Sequence, residues 1–389
     1  MKIIFTSLLF TGLLFSSESY LPEDEIVKMK AEFEVMKQEQ LNGFDQYKKD
    51  LEVEYKAYKN ELEKYWKNPK LSSQKEWVSY SQDNKSRLKV DFENEILTVE
   101  VIAKNKEEAQ KLLEKRLSYV VSKDTKEIVE SDPLQKKIAN LPQTANVKRG
   151  LIDSKPILEN VIFEKKPSPK ELQNYTKEVI SNTPMKIKKS KISDEHVYSL
   201  SIELPQNTTL KRSQVYKEEI VKNASRFEIP VSLVFAIMET ESNFNPFAKS
   251  HIPAFGLMQI VPKSAGRDVY RFLYKKDGMP SASYLYNSSN NIEMGSTYLH
   301  ILYYRYLRKI NNPQSRLYCS IAAYNTGAGN IAWAFTRKYN INTALSKINT
   351  MTPDEVYSYL LLNLKYDEPK HYLKRVKQRM QAYEKAYQL

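Results

Sequence analysis

With 389 residues, 41% of them hydrophobic and 28% charged, the chain is too long for one ordinary core and calls for two or three domains. The single cysteine, Cys319, excludes an internal disulfide, so stability has to come from packing. A net charge of +13 points first to nucleic acid, a reading that the first segment of the chain argues against.

That segment, residues 1–19, carries one lysine, Lys2, then the apolar run Ile3 to Phe15, too short to span a membrane comfortably, then Ser16 and Ser17. It reads as a cleaved secretory signal, with an uncleaved anchor as the alternative. Export follows from either, to the periplasm, to a membrane-associated site or further out. No cysteine follows the segment, so a lipid attached through an N-terminal cysteine is not expected. For an exported chain the positive charge suits a polyanionic envelope partner or a membrane surface, with plain solubility as the equal alternative; no nucleic-acid partner is expected.

Residues 20–70 are charged in both signs. Phe44, Tyr47, Leu51, Tyr55, Tyr58, Leu62 and Tyr65 recur in steps of three and four, the spacing of one long amphipathic helix from Pro22 to about Asn68. It is either half of a coiled coil or a helix packed across the later domains.

Residues 75–205 read as a small α+β domain. Leu88, Val90 and Phe92 alternate, and Ile96 to Ile102 is rich in β-branched residues; with Asn94-Glu95 as the turn, these make a hairpin. A helix is predicted over Lys106–Val121, with strands at Val161–Phe163 and His196–Leu204. The proline-rich polar stretch between them, which ends in the basic run Lys186–Lys191, is expected to be exposed loop in part.

Residues 206–389 read as an all-α domain punctuated by prolines, Pro230 suiting the first turn of its central helix. Within it, Val231–Ser242 is almost wholly apolar and ends in Glu241, which falls one turn beyond Ile237 and Met238 on the buried face. A carboxyl held among apolar side chains at a helix C-terminus keeps its proton near neutrality, as a general acid must. Glu239 points the other way, so no second carboxylate stands beside Glu241 on the helix, although Asp268 or Glu293 could fold close. Cys319 sits in a helical pattern and reads as a small buried thiol. His196, His251, His300 and His371 share no metal-ligand spacing, so no metal is expected.

Three segments accompany one another: Glu241-Ser242-x-Phe244-x-Pro246, Gly256-Leu257-Met258-Gln259 and Ala323-Tyr324-Asn325. Together they resemble the lysozyme-like domain of the bacterial soluble lytic transglycosylase (SLT) family. The likeness extends to Asn291-Ile292, Gly295, Tyr298, Leu299 and Tyr372, and with the α+β domain the chain is similar to the membrane-bound lytic murein transglycosylase C group. The fold implied is an α+β multidomain chain with a C-terminal all-α lysozyme-like domain, a small N-terminal α+β domain and a preceding long helix.

The resemblance implies a cleft for peptidoglycan glycan strands, cleavage of the MurNAc–GlcNAc β-1,4 bond with a 1,6-anhydromuramic end, and no cofactor. Glu241 would be acid and then base, and Tyr372 would orient it. Substrate contacts are expected from Ser242, Gly256, Met258, Gln259, Tyr324 and Asn325, each with a plainer reading: local backbone partner, turn, core filling or helix-end punctuation. Two rivals stay open, a muramidase using water on the same bond and a non-catalytic wall-binding scaffold. The relatives implied are lipoproteins, so residues 20–70 could serve as a tether in place of the lipid.

Overall fold

The computed structural model describes residues 23–139, 141, 147–163, 165–250 and 254–389. The expected leader and His251 lie outside them. Helix α1 (Glu23–Leu62) is the long amphipathic element, but it stops at Leu62 rather than near Asn68. Trp66 folds back, its amide donating to Leu62 O at 2.9 Å and its indole N–H to Asn84 O at 2.8 Å. A buried indole needs such a partner, and finding it ends the helix. Phe44, Tyr47, Leu51, Tyr58 and Leu62 are buried as the spacing requires. Four of them, Tyr47, Leu51, Tyr58 and Leu62, enter one continuous core with the C-terminal helices. Lys263 Nζ also bonds Asp45 at 2.9 Å. Of the two alternatives for this helix, packing across the later domains is the one found.

The hairpin forms as its alternation dictates. Strands β1 (Glu76–Tyr80), β2 (Ser86–Asp91), β3 (Ile96–Ala103), β4 (Lys186–Lys189) and β5 (His196–Glu203) make an antiparallel sheet in the order β1-β2-β3-β5-β4. In the β2–β3 register Leu88 faces Val99 and Val90 faces Leu97. These residues, with Val101, Leu200 and Ile202, are buried in one core with residues of helix α2 (Lys106–Ser122), against which partly buried side chains of α3 (Pro169–Asn182) pack. Burying each such side chain is worth roughly 1.5–3 kcal/mol.

Two predicted elements differ. Val161–Phe163 is not a strand: Glu159–Ile162 forms a single helical turn with Val161 buried, since three apolar residues fit a buried turn as well as a strand. Lys186–Lys189, in the stretch expected to be loop in part, is exposed as a solvated run should be but pairs with β5 as the sheet edge, where charged side chains are tolerated. The proline-rich stretch also holds more helix than expected. Pro133 and Pro169 open helices, where a missing N–H costs nothing, and Ser168 and Glu171 form a capping box.

The C-terminal part is helical. Helix α4 (Val231–Ser242) buries every residue from Ser232 to Met238, and Pro230 occupies its N-cap. It packs along helix α6 (Asp367–Tyr387), where Phe235 stacks on Tyr383 and Tyr387 at 5.0 and 4.8 Å. Helix α5 (Pro313–Thr326) carries Cys319 fully buried, its thiol pushed up to about 12 by desolvation, the inert packing residue expected. Buried Arg212 joins the two parts, donating to Phe92 O at 3.1 Å beyond β2 and to Asn243 O at 2.8 Å beyond α4. Among the described residues no helix is long and apolar enough to cross a membrane.

Candidate active site

Glu241 stands in the last turn of α4, on a helix whose other residues anchor it in the core. Asn243 and Phe244 follow with φ of 50° and 58°, so the chain turns away sharply and leaves the carboxyl at the helix end. Glu241 is only partly exposed, and the Tyr372 hydroxyl donates to its Oε1 at 2.7 Å. Desolvation dominates its surroundings and raises its pKa to about 7. The Tyr372 hydrogen bond opposes that rise, Glu368 adds to it, and Arg375 and Lys75 oppose it more weakly.

Glu239 is held quite differently. Arg379 Nε lies 2.7 Å from its Oε1, and the Tyr383 hydroxyl donates to Oε2 at 2.6 Å. Two carboxyls two residues apart thus have unlike surroundings: among the described residues Glu239 has a cation and a phenol, Glu241 a phenol alone. Asp268 accepts from the Tyr306 hydroxyl at 2.9 Å and Glu293 pairs with Arg226 at 2.6 Å, so both are engaged elsewhere.

The Gly256–Gln259 segment is fixed from beneath. Asn291, fully buried, accepts from Met258 N at 2.8 Å and donates to Phe255 O at 2.8 Å and Leu285 O at 2.7 Å. Gly256 has φ +74°, and a Cβ there would meet both Asn291 Nδ2 and Leu285 O at 2.3 Å. Its need for glycine is therefore a turn packed on protein. Met258 is fully buried with its sulfur against Gly295, where a Cβ would fall 2.2 Å from Sδ. That is the core-filling position, and Gly295 is the residue that admits it.

Ser242, also fully buried, lies within hydrogen-bonding distance of Leu257 O (2.7 Å) and Met238 O (3.0 Å), tying α4 to the same segment instead of meeting the carboxyl. Gln259 donates to Gly256 O at 2.9 Å, while its Oε1 is buried without a partner. Tyr324, on α5, donates to Met258 O at 2.8 Å. Asn325 is partly exposed and donates to Glu368 Oε1 at 2.8 Å.

The folded chain therefore brings α4, the Gly256–Gln259 segment, the end of α5 and the start of α6 together. Sequence reasoning missed Glu368 and the bracing role of Asn291. Glu368 lies four residues before Tyr372, one turn away on the same face of α6, which is the signal that could have found it. Also missed was the reach of the α+β part: Asn245 donates to Gln74 O at 3.1 Å, Lys249 N to Ser73 O at 3.3 Å, and Lys75 is close enough for its charge to be felt at Glu241.

Residues 218–346 match the Transglycosylase SLT domain family, a span that holds Glu241, Gly256–Gln259, Asn291 and Tyr324-Asn325 but stops short of Glu368 and Tyr372. Residues 44–125 match the N-terminal domain family of membrane-bound lytic murein transglycosylase C. The chain is 32% identical to membrane-bound lytic murein transglycosylase C of Serratia proteamaculans over 309 residues, covering 79% of this chain and 82% of that one. With the protein of the same description from Sodalis glossinidius it shares 44% identity over 180 residues, 46% of this chain and 50% of that one. The solved 70 kDa soluble lytic transglycosylase of Escherichia coli aligns with 46% of this chain and 26% of its own, at 26% identity and a TM-score of 0.36. With its α+β part, its helical SLT part and a relative matched along most of both lengths, the chain belongs to the membrane-bound lytic murein transglycosylase C family.

Proposed function

We propose that this chain is a peptidoglycan lytic transglycosylase in which Glu241 does the proton chemistry alone. The observation that carries the reading is a carboxyl at the end of a buried helix, desolvated, free of any arginine or lysine ion pair among the described residues, and held by one phenol. Protonated Glu241 gives its proton to the oxygen of the MurNAc–GlcNAc β-1,4 bond as the C1–O bond breaks. The resulting carboxylate takes the proton of the muramyl 6-hydroxyl as that oxygen bonds to C1. The product ends in 1,6-anhydromuramic acid, Glu241 is reprotonated, and no water is consumed.

In this reading Tyr372 orients the acid and Asn325, partly exposed at the rim, contacts the glycan. Ser242, Gly256, Met258, Gln259 and Tyr324 act by fixing the backbone beside the carboxyl, since Ser242, Gln259 and Tyr324 bond backbone oxygens there, Met258 fills the core and Gly256 makes the turn. Residues 206–389 would form the catalytic unit and residues 75–205 the domain whose leading segment, Ser73–Lys75, reaches its edge. An envelope location, with export to the periplasm, fits the membrane-bound description of the relatives. Glycan strands of peptidoglycan are the partner.

Mass spectrometry of digested sacculi tests the reaction. Anhydro ends, one water lighter than reducing ends, are expected; reducing ends alone would hand the same site to a water-using muramidase. No turnover at all would leave the scaffold reading.

A further inference from the structure

The start of α6 puts two acidic residues, Asp367 and Glu368, in a helical first turn, where negative charge is ordinarily favourable. Only one of them behaves in that ordinary way. Asp367 pairs with Lys370 at 2.9 Å, whereas Glu368, itself exposed, turns to Asn325 of α5 and accepts from its side-chain amide at 2.8 Å. Glu368 and Tyr372 are one turn apart on one face, and Tyr372 is the residue that holds Glu241. A single helix face therefore presents a phenol to the acid and a carboxylate to the neighbouring amide.

We propose that Glu368 is a positioning residue for this site: it fixes the Asn325 amide at the rim and keeps a negative charge beside Glu241 so that the general acid holds its proton until substrate takes it. This rests on the reading of Glu241 as general acid given above. Among the described residues the other groups whose charge or hydrogen bond is felt at Glu241 are Tyr372 and Arg375 from α6, Tyr324 from α5 and Lys75, itself paired with Glu93, from the segment before β1. Arg375 and Lys75 act in the opposite sense, and Tyr324 is neutral, its hydroxyl donated to Met258 O. Glu368 is the one carboxylate among them, so removing its charge has a definite sign.

The test is kcat/KM against pH, on soluble glycan strands, for the full chain and its E368Q, E368A and R375Q variants at low and high salt. Gln keeps an acceptor for Asn325 and removes only the charge. E368Q is expected to move the basic limb to lower pH by about half a unit at low salt. That displacement should shrink at high salt, because an exposed charge is screened. R375Q should move the limb upward. E368A, which also frees Asn325, should show the E368Q limb together with a higher KM. Superimposable limbs for E368Q and the native chain at low salt, with Glu241→Gln inactive, would overturn the proposal and leave the role of Glu241 standing. An E368A variant with unchanged KM would overturn the Asn325 half. Activity surviving in Glu241→Gln would remove the foundation of both.

Discussion

At the residue scale the chemistry turns on how two nearby carboxyls are treated. Glu239 has a cation and a phenol, while Glu241 has a phenol and little solvent. Replacing Glu241 with Gln keeps size and hydrogen bonding but removes the proton donor. Turnover should fall by roughly two to four orders of magnitude with an unchanged circular dichroism spectrum. The same substitution has a signature in stability. With its pKa raised to about 7, the folded chain binds more protons than the unfolded one between the ordinary glutamate range and pH 7, so stability falls as pH rises through that window. Glu241→Gln should therefore melt higher than the native chain at pH 8 and little differently at pH 4.5. Above pH 7 the native kcat/KM should drop about tenfold per unit as the acid loses its proton. Tyr372→Phe removes a donor that favours the anion, so its basic limb should move to higher pH while activity falls; a limb moving downward would contradict the role given to Tyr372.

At the element scale the site depends on a short turn segment, held chiefly by one buried amide, with Ser242 and Tyr324 bonding its carbonyls. Asn291 answers three backbone groups from a helix beneath it, and Gly256 has no room for a methyl group. Gly256→Ala forces both an unfavourable φ and a clash with backbone, and should cost roughly 2–4 kcal/mol in denaturant unfolding. Asn291→Ala leaves three polar groups unanswered and should cost a similar amount. In either variant an unchanged midpoint would mean that the segment is braced by something else.

At the scale of the whole molecule, α1 is part of the core. Leu62 is fully buried in the same cluster as the α4 residues, although it lies at the end of a helix that sequence alone leaves open as a tether. Leu62→Ala should cost about 2–5 kcal/mol, the usual price of a core leucine. It should lower the main melting transition seen by calorimetry; a separate early transition for α1 would argue instead for a detachable helix. Arg212 and the Ser73–Lys75 segment bind the α+β part to the end of α4 in the same sense.

Periodicity and residue chemistry, which are local, were enough to specify the amphipathic face of α1, the β2–β3 hairpin, the α2 and α4 helices, the buried Cys319 and the place of Glu241 at the end of an apolar helix. Burial of an apolar face or run is encoded in the order of residues itself. What sequence could not decide were contacts between side chains far apart in the chain. It read the helical turn at Val161 as a strand and hid the pairing of Lys186–Lys189. It also assigned Met258 and Ser242 to the ligand when each is taken up by a distant neighbour, and it did not reveal Glu368 beside Asn325. Those outcomes depend on which helix ends meet. That is settled by close packing of the folded chain, where a sulfur opposite a glycine or an amide beneath a loop has only one place to go.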